Sequence, residues 1–409
     1  MIVVRTEMVE WAVREHLANA VQMTADLRRW PFRLGRVDSF ARWCRQCEAN
    51  LDGLRIAEAA GIEIGRAAME DDPEAAGVVA LLLAESRCDQ PAASEEAISL
   101  LRQDSPDIRH SAWWGLRLAD PRQVEAHLRP LLDAPGWSFP SAAALDILAF
   151  HRLPVGVEPG EPPDEQEEEI AWLLAEAGGR IPGAWDATRL TRSLGHSSAR
   201  VREAALHAAA RCGLSELRVL CREATVRSAP LEAVEFLGVV GSAEDLARLE
   251  RSAGSPSTAA AALAGLGRLG LPAAVPALLE FLDNPELADC AAAAIERIVG
   301  QAVPRGPEPE PPPDLGEEEL DLWEPHPPVD TQRARGWWKE NASRFDPARR
   351  YQAGLDVTDD PLGPVFEQLP LTVGYDIYLR ERALTPGTPD WELETWAWRQ
   401  KDPRAIVRP

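Results

Sequence analysis

The sequence predicts an all-α chain arranged as an α-solenoid, and three observations predict it. Small and apolar residues recur in fixed columns, a glycine closes most recurrences, and the segments between are rich in alanine. The clearest copy is VREAALHAAARCG at 201–213, where Ala205, Leu206, Ala209 and Cys212 set the columns and Gly213 ends them. A step of 28 residues leads to Ala233, Val234, Leu237, Val240 and Gly241, and a further 29 to Ala262, Leu263, Leu266, Leu269 and Gly270. Another step of 29 reaches Ala291, Ala292, Ile295 and Ile298, with the glycine one place late at Gly300. Earlier copies hold Ala144, Leu145 and Leu148, and before them Ala112, Trp113, Leu116 and Ala119. A recurrence near 30 residues marks an array of stacked units.

The elements follow in order. Residues 4–29 read as one helix with Val13, Leu17, Val21 and Leu27 among its apolar positions, stopped by Trp30-Pro31 because proline cannot continue the helical ladder. A second helix is expected after Asp38, a good N-cap, running to about Ala60 before Gly61. Its apolar face carries Phe40, Trp43, Cys47, Leu51 and Leu54. These two helices form an expected N-terminal helical cap over residues 1–60. From 61 to 300 two short helices alternate per unit, entered at Pro73, Asp107, Ser198 and Pro285. Each pair buries its apolar face only by stacking on the next. Leu206, Val234 and Leu263 are the expected core positions of three successive units. GLGRLG at 265–270 matches a dinucleotide-loop string, yet it ends an alanine-rich helix and is read as a helix stop.

Two acidic stretches interrupt the array. Residues 155–167, VGVEPGEPPDEQE, are expected as a loop, and a helix resumes over Glu168 to Glu176. Residues 301–330 contain nine prolines and are expected as an extended Pro/Glu-rich linker, with LDLWEP around Trp323 as a candidate docking motif. Beyond 330 tryptophans gather at Trp337, Trp338, Trp391, Trp396 and Trp398. A C-terminal helical cap over 331–409 is expected, and Trp323, Trp337, Trp338, Trp396 and Trp398 are candidate protein-interaction residues, because tryptophan is enriched at interface hot spots.

Formal charge is −23 over 409 residues, but it is unevenly spread. Residues 154–170 carry seven acids and no base, and 301–330 carry nine acids against Arg305, so the rest of the chain is only mildly acidic. Without a basic stripe, nucleic acid is not an expected partner. No apolar run approaches the ~20 residues of a membrane span, and the N-terminus lacks a signal-peptide core. A cytoplasmic protein with no membrane partner is expected. The six cysteines are scattered and read as buried thiols.

The helix pairs, with LTRSLGHSSARVR leading into VREAALHAAARCG, resemble HEAT-type repeats of the short variety found in phycobilisome lyases. That resemblance implies a right-handed superhelix of helix pairs. It also implies that Arg109, in DIRHSAWWGL, and Arg202 support packing between repeats. More narrowly, ANLDGLRIAEAAGIEIGRAAME at 49–70, RRYQAGL at 349–355 and WAWRQ at 396–400 make the chain similar to a proteobacterial HEAT-repeat family of unassigned activity. Its members are often encoded beside type VI secretion components, which implies an adaptor or immunity-like role. The resemblance brings no functional residues with it.

No catalytic constellation is visible. Cys44-Arg45-Gln46-Cys47 is a single CxxC inside a helix, without the further ligands of a structural zinc site. The seven histidines stand alone, and GxSxG and GxxxxGK[ST] are absent. No catalytic, cofactor-binding or metal site is expected. The function expected is a non-enzymatic scaffold that binds another protein, basic in character, such as an effector, toxin or spike component. The alternatives are a bilin-lyase-like enzyme, for which no cysteine–histidine pair is poised, and a DNA-glycosylase-like one, which needs a basic concave face bearing a catalytic aspartate.

Overall fold

The structure, a computed structural model, describes residues 6–29, 37–86, 90–157, 168–227, 229–311, 316, 323, 326–385, 387–388 and 391–392. Among these it is all-helical apart from one two-stranded hairpin. No helix among the described residues is long and apolar enough to cross a membrane. Trp396, Trp398 and most of the acidic loop at 155–167 lie outside the described residues, as does the LDLWEP stretch except Trp323.

The chain divides into two compact units. One comprises Met1–Ser215 and Pro370–Pro409, the other Glu216–Leu369. The first begins with α1 (Thr6–Arg29) and α2 (Val37–Ala57), which pack together through Val13, Leu17 and Leu27 on one and Phe40, Cys44, Cys47, Leu51 and Leu54 on the other. The short α3 (Ala59–Ala68) leads to α4 (Ala75–Glu85), buried from Ala75 to Ala84, so no polar stripe survives on it. Then follow α5 (Gln90–Ser99), α6 (Pro106–Leu118), α7 (Pro121–Leu132), α8 (Phe139–Phe150), α9 (Glu168–Gly178), α10 (Ala187–Leu194) and α11 (Ala199–Arg211). Helices α4, α6, α8, α9 and α11 pack each on the next, while α3, α7 and α10 flank them. A returning helix, α19 (Leu371–Leu384), packs on α11, where Tyr375 meets His207 edge to face.

The second unit repeats the scheme with α12 (Leu217–Arg227), α13 (Leu231–Val240), α14 (Leu246–Ala253), α15 (Ala259–Leu269), α16 (Val275–Phe281), α17 (Ala288–Val299) and α18 (Thr331–Asn341). Here α13, α15 and α17 pack in series, with α12, α14 and α16 beside them.

The alanine columns are the contact surfaces. Ala205, Leu206, Ala209, Ala233, Val234, Leu237, Ala262, Leu263, Leu266, Ala291, Ala292 and Ile295 are all buried. Ser198 caps α11 by accepting from the Val201 amide, and Gly270 and Gly300 end α15 and α17 in the left-handed conformation that glycine adopts without strain. At α6 the cap is Ser105, with Asp107 already in the first turn.

GLGRLG divides its labour in a way the string does not reveal. Only Gly270 stops the helix. Gly265 and Gly267 lie inside α15, where neighbouring backbone approaches so closely that a methyl on Gly267 would stand 2.8 Å from Ala294 Cα. A methyl on Gly238 of α13 would overlap the Gly265 carbonyl. In the first unit Gly77 of α4 and Gly115 of α6 meet the same way.

The region expected as a C-terminal helical cap is mixed. Between α18 and α19, RRYQAGL forms an antiparallel hairpin pairing Tyr351 with Asp356 and Gln352 with Leu355. Ala353 and Gly354 both have positive φ, the geometry of a two-residue turn matched to strand twist. The hairpin serves helix ends. The Tyr351 amide donates to Gly270 O, Ala353 and Gly354 donate to Arg297 O and Ile298 O, and Arg350 reaches Gly238 O and Arg268 O. Orphan carbonyls of α13, α15 and α17 are thus satisfied by a single segment. The Pro-rich stretch leaves and returns at one place: Gly306 N donates to Pro328 O, and Asp330 N to Pro304 O before Asp330 caps α18.

Candidate functional site

The first unit contains a cleft of about 890 Å³, and the stretch LDGLRIAEAAGIEIGR builds one wall of it. The sequence predicts one helix running to Ala60 with Gly61 as its stop. Instead α2 ends at Ala57, Glu58 takes φ 49°, and α3 begins at Ala59 with Gly61 inside it. Glycine is needed at 61 for another reason: a Cβ there would lie 2.8 Å from Leu54 O, so the two helices fold against each other only without one. Ile56, just before the bend, is 84% exposed and lines the cleft. Ile56 is the most exposed large hydrophobic residue among those described.

The opposite wall comes from α4 and α5, with Leu82, Leu83, Ala92 and Ala93 giving apolar surface and Glu85 and Glu96 giving charge. Asp120, the cap of α7, closes one end. Among the described residues, seven carboxylates line the cleft against two guanidinium groups, those of Arg55 and Arg66.

The two arginines are held differently. Arg55 reaches Glu48 and Asp52 on its own helix at 2.8 Å each and Glu85 of α4 at 2.6 Å. Burial works against its charge, but Glu85 and Glu48 outweigh that and hold its pKa above the ordinary guanidinium value. Glu85 uses its other oxygen to accept from the Asp120 amide at 3.2 Å, tying α2, α4 and α7 together. Arg66 instead makes one forked pair with Glu96, Nε to Oε1 and Nη2 to Oε2, both 2.6 Å. That hydrogen bonding raises its pKa as well.

A second charged cluster in this unit is enclosed. Asp146 of α8 accepts from Trp113 Nε1 at 2.9 Å and from Arg180 Nη1 at 3.0 Å, and Arg117 Nε stands 3.4 Å away. Arg180 also donates to Glu176 and Glu392, and Arg211 donates to Glu392 and to Trp391 O. Arg117 lies over the rings of Trp113, Trp114 and Phe150. Burial opposes the charge of Glu392, yet Arg180 and Arg211 hold its carboxyl well below the usual range. Asp146, Arg117 and Arg180 are buried, so this cluster is internal scaffolding.

The residues singled out from sequence fall in different places. Arg109 pairs with Glu169 of α9 at 2.5 Å and donates to Asp104 O, joining its helix to a later one. Arg202 donates to the carbonyls of His196 and Ser197, in the turn that precedes its own helix. Leu206, Val234 and Leu263 are buried core. Trp337 and Trp338 are half-buried and share a small cavity with Leu279, Ile295 and Val299, and Trp338 continues through Phe345 to Tyr351. Trp323 is half-buried. Trp391 is buried against Tyr378. Cys44 and Cys47 are buried in α2, where burial and the neighbouring Cys44 and Glu48 push the Cys47 thiol upward. Among the described residues no group of three or more His, Cys, Asp or Glu could hold a metal ion.

The cleft itself escaped the sequence reading. Glu48, Asp52 and Glu58 lie in residues 1–60, which sum to near neutrality, while Glu63, Glu85, Glu96 and Asp120 lie further along the chain. The available signal was RIAEAAGIE, with an isoleucine on each side of the glycine and the break between two helices inside it. No protein-family model matches the chain, and no curated protein matches it in sequence.

Proposed function

We propose that this chain is a non-enzymatic protein-binding scaffold, an α-solenoid of HEAT-like helix pairs, that docks a basic, extended segment of a partner protein in the cleft beside Ile56. The observation that carries this is the cleft's combination of seven carboxylates, two arginines and an outward-turned isoleucine. An apolar residue of the partner covers Ile56, and flanking cations meet the surplus carboxylates. A volume of about 890 Å³ suits a short peptide stretch, since ligand sites run to ~300–1,000 Å³. Complementary charge supplies selectivity and encounter rate more than raw affinity. The similarity to a HEAT-repeat family often encoded beside type VI secretion components supports an adaptor or immunity-like setting and directs the search for the partner to effectors and spike components.

The test uses the full-length chain and a fluorescein-labelled nonapeptide with two arginines around a central leucine in a glycine–serine background. Anisotropy should rise with protein, fall steeply with added salt, and vanish for an analogue with glutamates in place of the arginines. Ile56→Ser and Glu63→Lys should each weaken binding by at least threefold. Equal binding of the acidic analogue, or no loss in either variant, would overturn the assignment.

A further inference from the structure

We infer that Arg66 is an internal stand-in for an arginine of the partner, and that Glu96 is the carboxylate that selects it. The inference rests on the docking function proposed above and names the residue that sets its specificity. Of the two guanidinium groups in the cleft, Arg55 is fixed: three carboxylates hold it, and its side chain is 28% exposed. Among the described residues Arg66 has one ion-pair partner, and it is 47% exposed and Glu96 37% exposed. The pair crosses the cleft from α3 to α5, joining the two walls between which a bound segment must lie.

Its geometry matters more than its charge. Both oxygens of Glu96 meet two nitrogens of one guanidinium at 2.6 Å, the planar fork that an ammonium group cannot reproduce. The cleft is therefore already shaped at Glu96 to hold an arginine. A solvent-exposed pair contributes little to stability, so Arg66 can be displaced at small cost. The incoming arginine exchanges one fork for an equivalent one, and freed Arg66 swings to solvent. Net binding then depends on the contacts around Glu96, including Ile56, which a segment without the right neighbours does not make. Arg66 is a positioning residue that filters weak basic ligands, and Glu96 discriminates arginine from lysine.

The experiment compares the arginine nonapeptide with its lysine analogue on wild type, Arg66→Ala, Arg66→Lys and Glu96→Gln, each checked for helicity by circular dichroism. Arg66→Ala should tighten the arginine peptide about two- to fivefold and the lysine peptide less. Arg66→Lys, which keeps the charge but loses the fork, should tighten the arginine peptide by a smaller factor. Glu96→Gln should weaken the arginine peptide and erase the preference over lysine. An equal gain for both peptides in Arg66→Ala would show that only net charge changed and overturn the stand-in role. Unchanged or weaker arginine binding in Arg66→Ala, with wild type binding, would overturn it while leaving the docking cleft in place. Folded wild type and Arg66→Ala that bind neither peptide would remove both.

Discussion

Arg180 and Arg211 donate to the same oxygen, Oε2 of Glu392, each at 2.8 Å. Arg180 lies two residues past α9 and Arg211 in the last turn of α11, while Glu392 lies beyond α19. One carboxylate thereby fastens the returning segment to the helices of the first unit. Glu392→Ala should destabilise that unit by ~3–5 kcal/mol in chemical denaturation, because two guanidinium groups lose their shared counter-charge. A loss below ~1 kcal/mol would mean that Trp391 and Tyr378 hold the segment by packing alone.

A pH dependence belongs to the second unit. Burial acts to raise the carboxyl of Asp245, but bonds from Arg222, the Ser242 amide and Arg218 prevail and hold it at about 2. A depressed carboxylate stabilises the fold fully above its unfolded value near ~3.9 and loses that contribution as pH falls through the folded value. Thermal stability should therefore decline between about pH 4 and 2. The decline should be shallower in Asp245→Asn, and superimposable profiles would refute the assignment.

Backbone contacts make a sharper stability test. Gly115→Ala and Gly238→Ala each place a methyl into a facing glycine carbonyl, and both should cost at least ~1–3 kcal/mol, although alanine is the better helix former. Gly336→Ala in α18 meets nothing within 4 Å and should stabilise by ~0.5–1 kcal/mol. Urea midpoints moving in the same direction for all three would contradict the close approach.

Leu206 is 1% exposed in α11, and Leu206→Ala should cost ~2–5 kcal/mol through the cavity it leaves. A change under half of ~1 kcal/mol, the size of a surface effect, would place it on the wrong helix face.

The helices and their buried faces were legible because a period near 30 residues and a stripe of alanine are written directly in the chain. Leu206, Val234 and Leu263 could be picked as core for that reason. The hairpin at Tyr351–Asp356 was not, since its stability comes from carbonyls of three helices 50 or more residues away, which local sequence does not display. Gly61 misled for a related reason: stop signals and close-packing glycines look identical until the neighbouring backbone is known. The cleft was hidden because charge was summed along the chain, whereas Glu48, Glu85 and Glu96 gather by folding. Arg109 reaches another helix, and Arg202 braces the turn that precedes its own.

The discontinuity of the first unit also sets an order in time. A ribosome delivers Arg180 and Arg211 212 and 181 residues before Glu392, so neither has its shared counter-charge while the whole second unit is being made. Until residues 371–392 arrive, Arg180 has Asp146 and Glu176 but not Glu392, and the α11 residue His207 lacks its contact with Tyr375. Arrival of the returning segment, rather than formation of the helices, is what completes this charged cluster.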